Sequence, residues 1–463
     1  MSPEPVPERL WPRISDLIAR SIGLHFPPER HADLQRGFAG AAMELGFESA
    51  ASCAEWLVNT QPTSVQLHTL ASHLTIGETY FFRERKTFDA LESHVLPTLM
   101  RRRAAERRLR VWSAACATGE EPYSLAILLR QLLPQWEQWN VTILATDINE
   151  RFLQKAVAGV YGEWSFRDTT PEFRQQYFKR TAEGRYEILP EIRDSVTFAP
   201  LNLVQDGFPS LSTDTNAMDL ILCRNVLIYF TPAHTRTLVG KLWQALAPEG
   251  WLAVSPSECS QAMFSRFATE NFPGAILYRR GERIDAPAIS PGTIHSAALG
   301  LPFAGEEFLR PSALDSLSAP ATAAVATTDA PTLAVITRAL ANEGNLAEAR
   351  LAAERWIAAE KLEPAAHYLH AMILQELGDR ATARRSLQRA IYLNPDFALA
   401  HFALGNVARD EGRTVEAGKH FRNALDLLRT LQPNAGIPES DGLSAGRLTE
   451  IIGTLLALPR SAA

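Results

Sequence analysis

The chain has 463 residues, about three times the roughly 150 residues typical of one domain, so two or three separate cores are expected. Hydrophobic residues make up 46% of the chain and charged residues 21%, which excludes a wholly disordered, collagen-like or coiled-coil protein. The net charge of -6 excludes a general nucleic-acid binder, and the four cysteines form no C-x-x-C pair, so no metal site is predicted.

The N-terminus does not show the basic and then apolar pattern of a secretion signal, and no run approaches 18 uninterrupted apolar residues. We therefore expect neither secretion nor direct membrane insertion. The widely spaced cysteines fit a reducing compartment, so a cytoplasmic location is predicted.

Residues 8–75 show helical periodicity and no strand-like alternation, which predicts an N-terminal helical domain. Residues 76–280 then carry short apolar stretches that alternate with helical ones, as is typical of an α/β protein with a doubly wound parallel sheet. The predicted strands are residues 110–115, 141–147, 196–199, 218–223 and 250–255. The interval 160–195 is too long for one loop, and residues 186–189 predict a strand within an inserted β-subdomain.

Residues 281–335 are dominated by Ala, Ser, Thr and Pro, and we predict a disordered linker because such a segment buries too little apolar area to offset its ordering entropy. After it, Gly344, Gly378 and Gly412 recur every 34 residues, which is the period of tetratricopeptide (TPR) helix pairs. Residues 336–460 are thus predicted to form an all-α TPR solenoid with a capping helix. Its partner is predicted to be another protein or peptide, or the catalytic half of the same chain.

Ligands of open α/β sheets bind at the carboxyl ends of the strands, so the residues that follow the strands are candidates for the site. The first strand leads into a turn of small residues, 113–119, and then into Glu120 and Glu121. The turn matches neither G-x-G-x-x-G nor a P-loop, and the two acids are also explained as first-turn residues that complement a helix dipole. Asp147 ends the second strand, where a carboxylate either accepts hydrogen bonds from a ribose or caps a turn.

Five stretches, in this order along the chain, resemble the CheR-type chemoreceptor glutamate O-methyltransferases: residues 74–84, 111–124, 145–147, 200–203 and 223–230. The resemblance covers roughly residues 15–280, and the chain as a whole resembles such an enzyme with a C-terminal TPR domain. It implies a Rossmann-like methyltransferase sheet, S-adenosylmethionine as methyl donor and S-adenosylhomocysteine as product. The implied partner is a chemoreceptor-like protein with methyl-accepting helices.

The same resemblance implies eight cofactor-binding residues: Thr79, Arg83, Glu120, Asp147, Asn202, Leu203, Arg224 and Asn225. Arg83 is expected to pair with the methionyl carboxylate of the cofactor, Glu120 to receive its ammonium group, and Asp147 to accept the ribose hydroxyls. Gly77 stands where the family frequently has Asn, so one cofactor contact is expected to differ.

No catalytic residue is assigned, because an acceptor carboxylate is already ionised at neutral pH and needs no general base. Catalysis is expected to come from alignment of the reactants and exclusion of water. Arg101, Arg102 and Arg103 begin the most concentrated basic run. These arginines are expected either to form a solvated helix face or to dock acidic receptor helices.

We therefore expect a methyltransferase that forms glutamate methyl esters on a chemotaxis-type receptor for sensory adaptation, with recruitment to membrane receptor arrays and a TPR arm for protein interaction. One alternative is a scaffold or regulatory TPR protein whose methyltransferase fold is inactive. Another is methylation of nucleic acid or of a different protein. The Asn-Pro-Pro-Tyr type string of base-amino methylases is absent after the fourth predicted strand, which disfavours nucleic acid.

Overall fold

The computed structural model describes most of the chain, namely residues 6–133, 135–281, 330–342, 344–433, 435–440 and 443–457. Within these ranges no helix is both long enough and apolar enough to cross a membrane. The described residues form a helical N-terminal region, an α/β sheet domain and a C-terminal helical arm.

The N-terminal region consists of α1 (Trp11–Ile22), α2 (His31–Glu44), α3 (Ala50–Asn59) and α4 (Ser64–Leu74). Helices α3 and α4 begin at capping boxes, in which the side chains of Ser49 and Thr63 accept from backbone N–H groups three residues later. The apolar faces of the four helices meet in a core that contains the fully buried Ile14, Phe38 and Leu57. The predicted helical periodicity thus reflects one buried face per helix.

Within its described residues the α/β domain contains ten strands, of which the first, β1, is buried along its whole length. The strands are β1 (Arg108–Ala114), β2 (Asn140–Asp147), β3 (Val160–Tyr161), β4 (Phe178–Arg180), β5 (Tyr186–Ile188), β6 (Thr197–Pro200), β7 (Met218–Leu222), β8 (Leu246–Ala253), β9 (Ala268–Phe272) and β10 (Ala275–Arg279). The helices that accompany them are α5 (Arg85–Ala90), α6 (Leu96–Arg102), α7 (Glu120–Leu132), α8 (Glu150–Ala158), α9 (Pro171–Tyr177), α10 (Pro190–Arg193) and α11 (Pro232–Ala245).

Seven strands form the main sheet in the order β6-β2-β1-β7-β8-β10-β9, and the three-stranded sheet β3-β5-β4 is the inserted subdomain. Neighbouring strands from β6 to β8 run parallel, which confirms the predicted α/β class. The sheet is mixed rather than wholly parallel, because β10 pairs antiparallel with both β8 and β9. Pro273 and Gly274 form the two-residue turn between β9 and β10, and the φ of 80° at Gly274 suits a tight hairpin turn.

The part of the C-terminal arm that the structure describes consists of three helix pairs and a further helix, α18. Its helices are α12 (Ala330–Asn342), α13 (Leu346–Ala359), α14 (Pro364–Glu376), α15 (Arg380–Leu393), α16 (Ala398–Asp410), α17 (Thr414–Leu428) and α18 (Ala445–Ala457). Gly344, Gly378 and Gly412 lie at the turn within each pair with φ between 73° and 83°, which explains their 34-residue spacing.

The arm begins earlier than the sequence predicts. Helix α12 starts at Ala330, so residues 330–335 are helical and not part of a linker. A proline is tolerated in the first turn of a helix, where its missing N–H has no partner to lose, so Pro331 does not mark a linker. The rest of the predicted linker, residues 282–329, lies outside the described residues.

Candidate active site

The backbone is strained where the strands of the main sheet end. Ala115 and Ala117 follow β1 with φ of 61° and 48°, a region that side-chain-bearing residues rarely adopt. Gly119 has a φ of 95°, and a Cβ at this position would lie 2.8 Å from the Cβ of Ala156. Five of the ten non-glycine residues with positive φ in the described ranges surround this point: Phe82, Glu84, Ala115, Ala117 and Asn225. Strain of this kind concentrates at functional sites.

Asp147 ends β2 as a buried carboxylate that is 6% exposed. The N–H of Ala117 donates to its Oδ2 at 2.9 Å, and the N–H of Asn149 donates to its Oδ1 at 2.8 Å. Burial raises the pKa of Asp147 to about 6, although these backbone donors favour the ionised form. No salt bridge reaches Asp147 from the described part of the chain, so its carboxylate can still accept hydrogen bonds from ligand hydroxyls.

Glu120, the first residue of α7, is a second buried carboxylate and is 3% exposed. The hydroxyl of Thr118 donates to its Oε2 at 2.7 Å, and the hydroxyl of Ser165 donates to its Oε1 at 2.9 Å. Burial raises the pKa of Glu120, and among the described residues no cation forms an ion pair with it. A buried carboxylate without an ion-pair partner among the described residues suits a ligand that brings its own positive charge, such as an ammonium group.

Ser165 belongs to the inserted subdomain, which the sequence did not connect with the site. The same subdomain fixes the segment that carries Thr79 and Arg83, because the carbonyl of Ser165 accepts from the N–H of Phe81 at 2.9 Å. Thr79 and Arg83 are both half-buried. The guanidinium of Arg83 donates to the carbonyl of Glu78 and makes no salt bridge to a described carboxylate, so it can still receive a ligand carboxylate.

Arg224 is buried between two carboxylates rather than aimed freely at a ligand. Its Nη1 donates to Glu121 at 2.9 Å and its Nη2 donates to Glu84 at 2.9 Å. Burial disfavours the guanidinium, but Glu121 and Glu84 raise the pKa of Arg224 above its ordinary value. Since Arg224 also donates to the carbonyl of Arg83, it ties the Thr79–Arg83 segment to the sheet.

Asn225 has a φ of 58°, and its loop is held by a residue that the sequence analysis missed. Glu258 accepts from the backbone N–H groups of Asn225 at 2.8 Å, Val226 at 2.7 Å and Leu227 at 2.7 Å. It also accepts from the backbone N–H and the hydroxyl of Ser255. The Ser-x-x-Glu spacing of Ser255 and Glu258 is that of a capping box and was a detectable signal.

Gly77 lies directly against the ring of Phe152. A Cβ at position 77 would be 2.6 Å from Cζ of Phe152, so no larger residue fits unless the ring moves. The phenyl ring of Phe152 therefore occupies room into which an Asn side chain at position 77 would project. This packing gives a physical reason for Gly at a position where the family frequently has Asn.

Four of the predicted cofactor residues line one cleft of about 90 Å³: Asp147, Asn202, Leu203 and Asn225. The N-terminal region supplies its opposite wall through residues 22–30, including His25 and Arg30. Asn202 donates from Nδ2 to the carbonyl of Ser21 at 2.8 Å, and the N–H of His25 donates to the carbonyl of Tyr229 at 2.7 Å. The N-terminal helices thus close the cleft, which the sequence did not predict.

Cys116 and Cys223 also lie at the strand ends but are poor nucleophiles. Both are buried, and burial raises the pKa of each thiol well above its ordinary value. A thiol in this state carries very little reactive thiolate at neutral pH. The arrangement fits ligand binding and alignment better than covalent catalysis.

The three arginines proposed for receptor docking lie elsewhere. Arg101 and Arg102 are exposed at the end of α6, whereas Arg103 donates to Asp219 at 2.8 Å and to Glu106 at 3.0 Å. They precede β1, whose seven residues put the carboxyl edge of the sheet about 20 Å away. They therefore do not line the strand-end cleft, and their role in docking a receptor stays a prediction.

Comparisons with known proteins agree with this organisation. Residues 77–273 match the family model "CheR methyltransferase, SAM binding domain", and residues 364–397 match "Tetratricopeptide repeat". The chain is 35% identical to "Chemotaxis protein methyltransferase 2" of Vibrio cholerae over 218 residues, covering 47% of this chain and 74% of that relative. It is 31% identical to "Probable biofilm formation methyltransferase WspC" of Pseudomonas aeruginosa over 377 residues, covering 77% of this chain and 85% of that relative.

Among solved structures, "Crystal structure of MamA" matches 22% of this chain and 61% of that chain, at 24% identity. The TM-score of this match is 0.22.

Proposed function

Because the chain belongs to the CheR family of methyltransferases and takes S-adenosylmethionine as its cofactor, we propose that it methylates glutamate side chains of a methyl-accepting chemotaxis-type receptor. The observation that supports this proposal most is the pair of buried carboxylates, Asp147 and Glu120. Both lie at the strand ends, and no described cation pairs with either of them.

Each of three proposed residues contacts a different part of the cofactor. Asp147 accepts the ribose hydroxyls, Glu120 receives the ammonium group, and Arg83 pairs with the methionyl carboxylate. The remaining proposed contacts come from Thr79, Asn202, Leu203 and Asn225, and Arg224 acts through the Thr79–Arg83 segment that it ties to the sheet. When bound, S-adenosylmethionine supplies a methyl group activated by its sulfonium.

The chain itself needs to remove no proton, because a glutamate carboxylate is ionised at neutral pH. Its contribution is to hold the acceptor in line with the methyl group and to keep water out, and such alignment alone can account for a large rate increase. The N-terminal wall of the cleft, residues 22–30, restricts access from one side. This division of labour requires no nucleophilic side chain.

The names of the relatives suggest where such a reaction acts. One relative is named for chemotaxis, and the other, whose match extends over 77% of this chain, is named for biofilm formation. We place this chain in a signalling pathway of the same kind, with flagellar taxis and surface growth as the two candidate outputs. The TPR arm acts as the protein-interaction module of the enzyme.

Two substitutions test the proposed site: Asp147→Ala and Arg83→Ala. Both should weaken S-adenosylmethionine binding in calorimetry and slow methyl transfer by at least about tenfold, because each removes a charge-assisted contact to the cofactor. Asp426→Ala, whose side chain is 68% exposed on α17, is the matched control and should behave as the parent. If both site variants transfer methyl at the parent rate, the assigned pocket is wrong.

Calorimetry on the parent chain also distinguishes an active methyltransferase from a scaffold protein with an inactive fold. A parent chain that is folded but binds no S-adenosylmethionine would support the scaffold with an inactive methyltransferase fold.

A further inference from the structure

One side of the helical arm faces the methyltransferase sheet across a partly open space of about 520 Å³. We call this side the inner face; it is formed by α14, α16 and α18. Its lining includes Tyr368, Met372, Gln375, Phe402, Asn406 and Ile451. The opposite wall contains the edge strand β6 and residues 211–214.

Glu376, at the end of α14, joins the inner face to the start of the sheet. Its Oε2 accepts from Nη1 of Arg110 at 2.6 Å and from Nη1 of Arg108 at 3.1 Å. Its carbonyl accepts from Nδ2 of Asn140 at 3.2 Å. All three donors lie at the beginning of β1 or β2, the opposite edge from the strand-end cleft.

The ion pairs of Glu376 with Arg108 and Arg110 take the place of water around three charged side chains that are buried. The side chains of Arg108, Arg110 and Glu376 are 5%, 2% and 7% exposed. Arg110 also pairs with Asp214, but the ion pair with Glu376 is the only one that Arg108 makes within the described residues. Burying a guanidinium without a counterion is costly, so the sheet depends on the arm to keep Arg108 in place.

Further contacts occur away from Glu376. Leu211 packs into the apolar cluster of the arm that contains Leu333 and Leu369. The hydroxyl of Ser212 donates to the carbonyl of Ser440 at 3.3 Å. Helix α18 also contacts β6, the edge strand of the main sheet.

The last helix extends the contact to the N-terminal region. Nε2 of His68, on α4, lies 3.6 Å from Oε2 of Glu450, on α18. The arm therefore touches both the sheet and the helices that close the cofactor cleft. Contacts at three separate places, with a buried ionic cluster among them, are more than a loosely tethered domain would make.

We propose that the inner face of the arm is a binding surface whose partner is the methyltransferase sheet of the same chain, with Glu376 as its anchor. The inference gives the interaction module proposed above a definite partner. It requires neither cofactor binding nor methyl transfer, so it survives even if the proposed reaction is wrong.

Hydrogen exchange on the full-length chain tests the docking. Glu376→Arg places a third guanidinium beside Arg108 and Arg110 and should release the arm. Exchange in residues 210–216 and in α14 should then become roughly a hundredfold faster, since losing one partner of a buried ion pair shifts an opening equilibrium by about that factor. Asp426→Arg, on the exposed side of α17, is the matched control and should leave both segments unchanged.

Protection of β7 and β8 reports whether the sheet remains folded in each variant. If Glu376→Arg loses the protection of β7 and β8, the same exchange measurement is made on Glu376→Gln, which removes the charge and keeps the size of the side chain. Parent-like exchange in residues 210–216 and α14, in a variant with protected β7 and β8, would overturn the proposal. Faster exchange in both segments together supports it, and faster exchange in α14 alone would overturn it.

Discussion

At Asp147 the fold holds a carboxylate where ionisation is costly. Burial raises its pKa to about 6, and no described cation offsets this effect. A residue placed only for stability would gain from a cationic partner or from exposure. A buried Asp147 carboxylate without a cationic partner is explained if a bound ligand supplies further hydrogen-bond donors to it.

The raised pKa predicts a pH dependence of cofactor binding. Below pH 6 the Asp147 carboxyl of the free protein is protonated and must lose its proton before it can accept both ribose hydroxyls as a carboxylate. Affinity for S-adenosylmethionine should therefore fall as pH falls, by about tenfold between pH 7 and pH 5. Titration calorimetry at the two pH values measures this change.

Asp147→Asn is the control for this titration. It cannot ionise, so it should bind more weakly at pH 7 and show a smaller pH dependence, with the remainder due to Glu120, whose pKa burial also raises. An affinity of the parent chain that stays constant from pH 5 to pH 7 would contradict the assigned role of Asp147.

Local sequence pattern identified some of these residues but not others. Asp147 and Glu120 were recognisable because one ends an apolar strand and the other begins a helix after a turn of small residues. Ser165 was not, because it reaches Glu120 from a subdomain 45 positions further along the chain. The role of Arg224 was also only partly predictable, since its partners Glu84 and Glu121 are more than 100 positions away.

The loop after β7 shows how one side chain can hold a whole element. Glu258 accepts from the backbone N–H groups of three successive residues, Asn225 to Leu227, and from Ser255. These donors are buried, so they need an acceptor in the protein. The positive φ at Asn225 is maintained by this network and not by glycine.

Glu258→Ala should therefore destabilise the chain strongly. It leaves several buried donors without an acceptor, and each such group costs about 1–3 kcal/mol, so the free energy of unfolding should drop by at least about 3 kcal/mol. Urea denaturation followed by circular dichroism measures the drop. Glu258→Gln keeps one carbonyl acceptor, so its free energy of unfolding should lie between those of the parent chain and Glu258→Ala. A loss below about 1 kcal/mol for Glu258→Ala would show that the network is dispensable.

At the same scale, the parallel strands were easier to predict than the antiparallel edge. The central strands β1 and β7 are buried along their whole length, and most of their residues are apolar, a pattern that is visible in sequence. The strands β9 and β10 are only partly buried: β9 has Thr269 and Asn271 at its exposed positions, and β10 exposes Ile276. Their hairpin was signalled mainly by Pro273 and Gly274, which the sequence analysis did not use.

Over the whole molecule, the buried ion pairs and the walls of the cleft are formed by residues that are far apart in sequence. Arg108 and Glu376 are 268 positions apart, so no local pattern relates them. The basic run around residue 101 was readable from sequence, but its division into exposed, intramolecularly paired and arm-covered arginines was not. The sequence also did not predict the N-terminal wall of the cleft. Its residues show no distinctive local pattern, and they line the cleft only because the N-terminal helices pack on the sheet.

The Glu376 contact and the cofactor cleft lie at opposite edges of the main sheet, whereas α18 reaches the N-terminal helices that form one wall of the cleft. This geometry makes catalysis and docking separable properties of one molecule, and each has its own test.

The central claim is methyl ester formation on a receptor by residues at the strand ends. The most direct test incubates the full-length chain with methyl-labelled S-adenosylmethionine and receptor-containing membranes from its own source, then treats the labelled protein with mild base. We predict that the parent chain labels a receptor and that base releases the label as methanol, whereas Asp147→Ala labels it at least about tenfold more slowly. Label that resists base, or equal labelling by the parent and Asp147→Ala, would contradict the account.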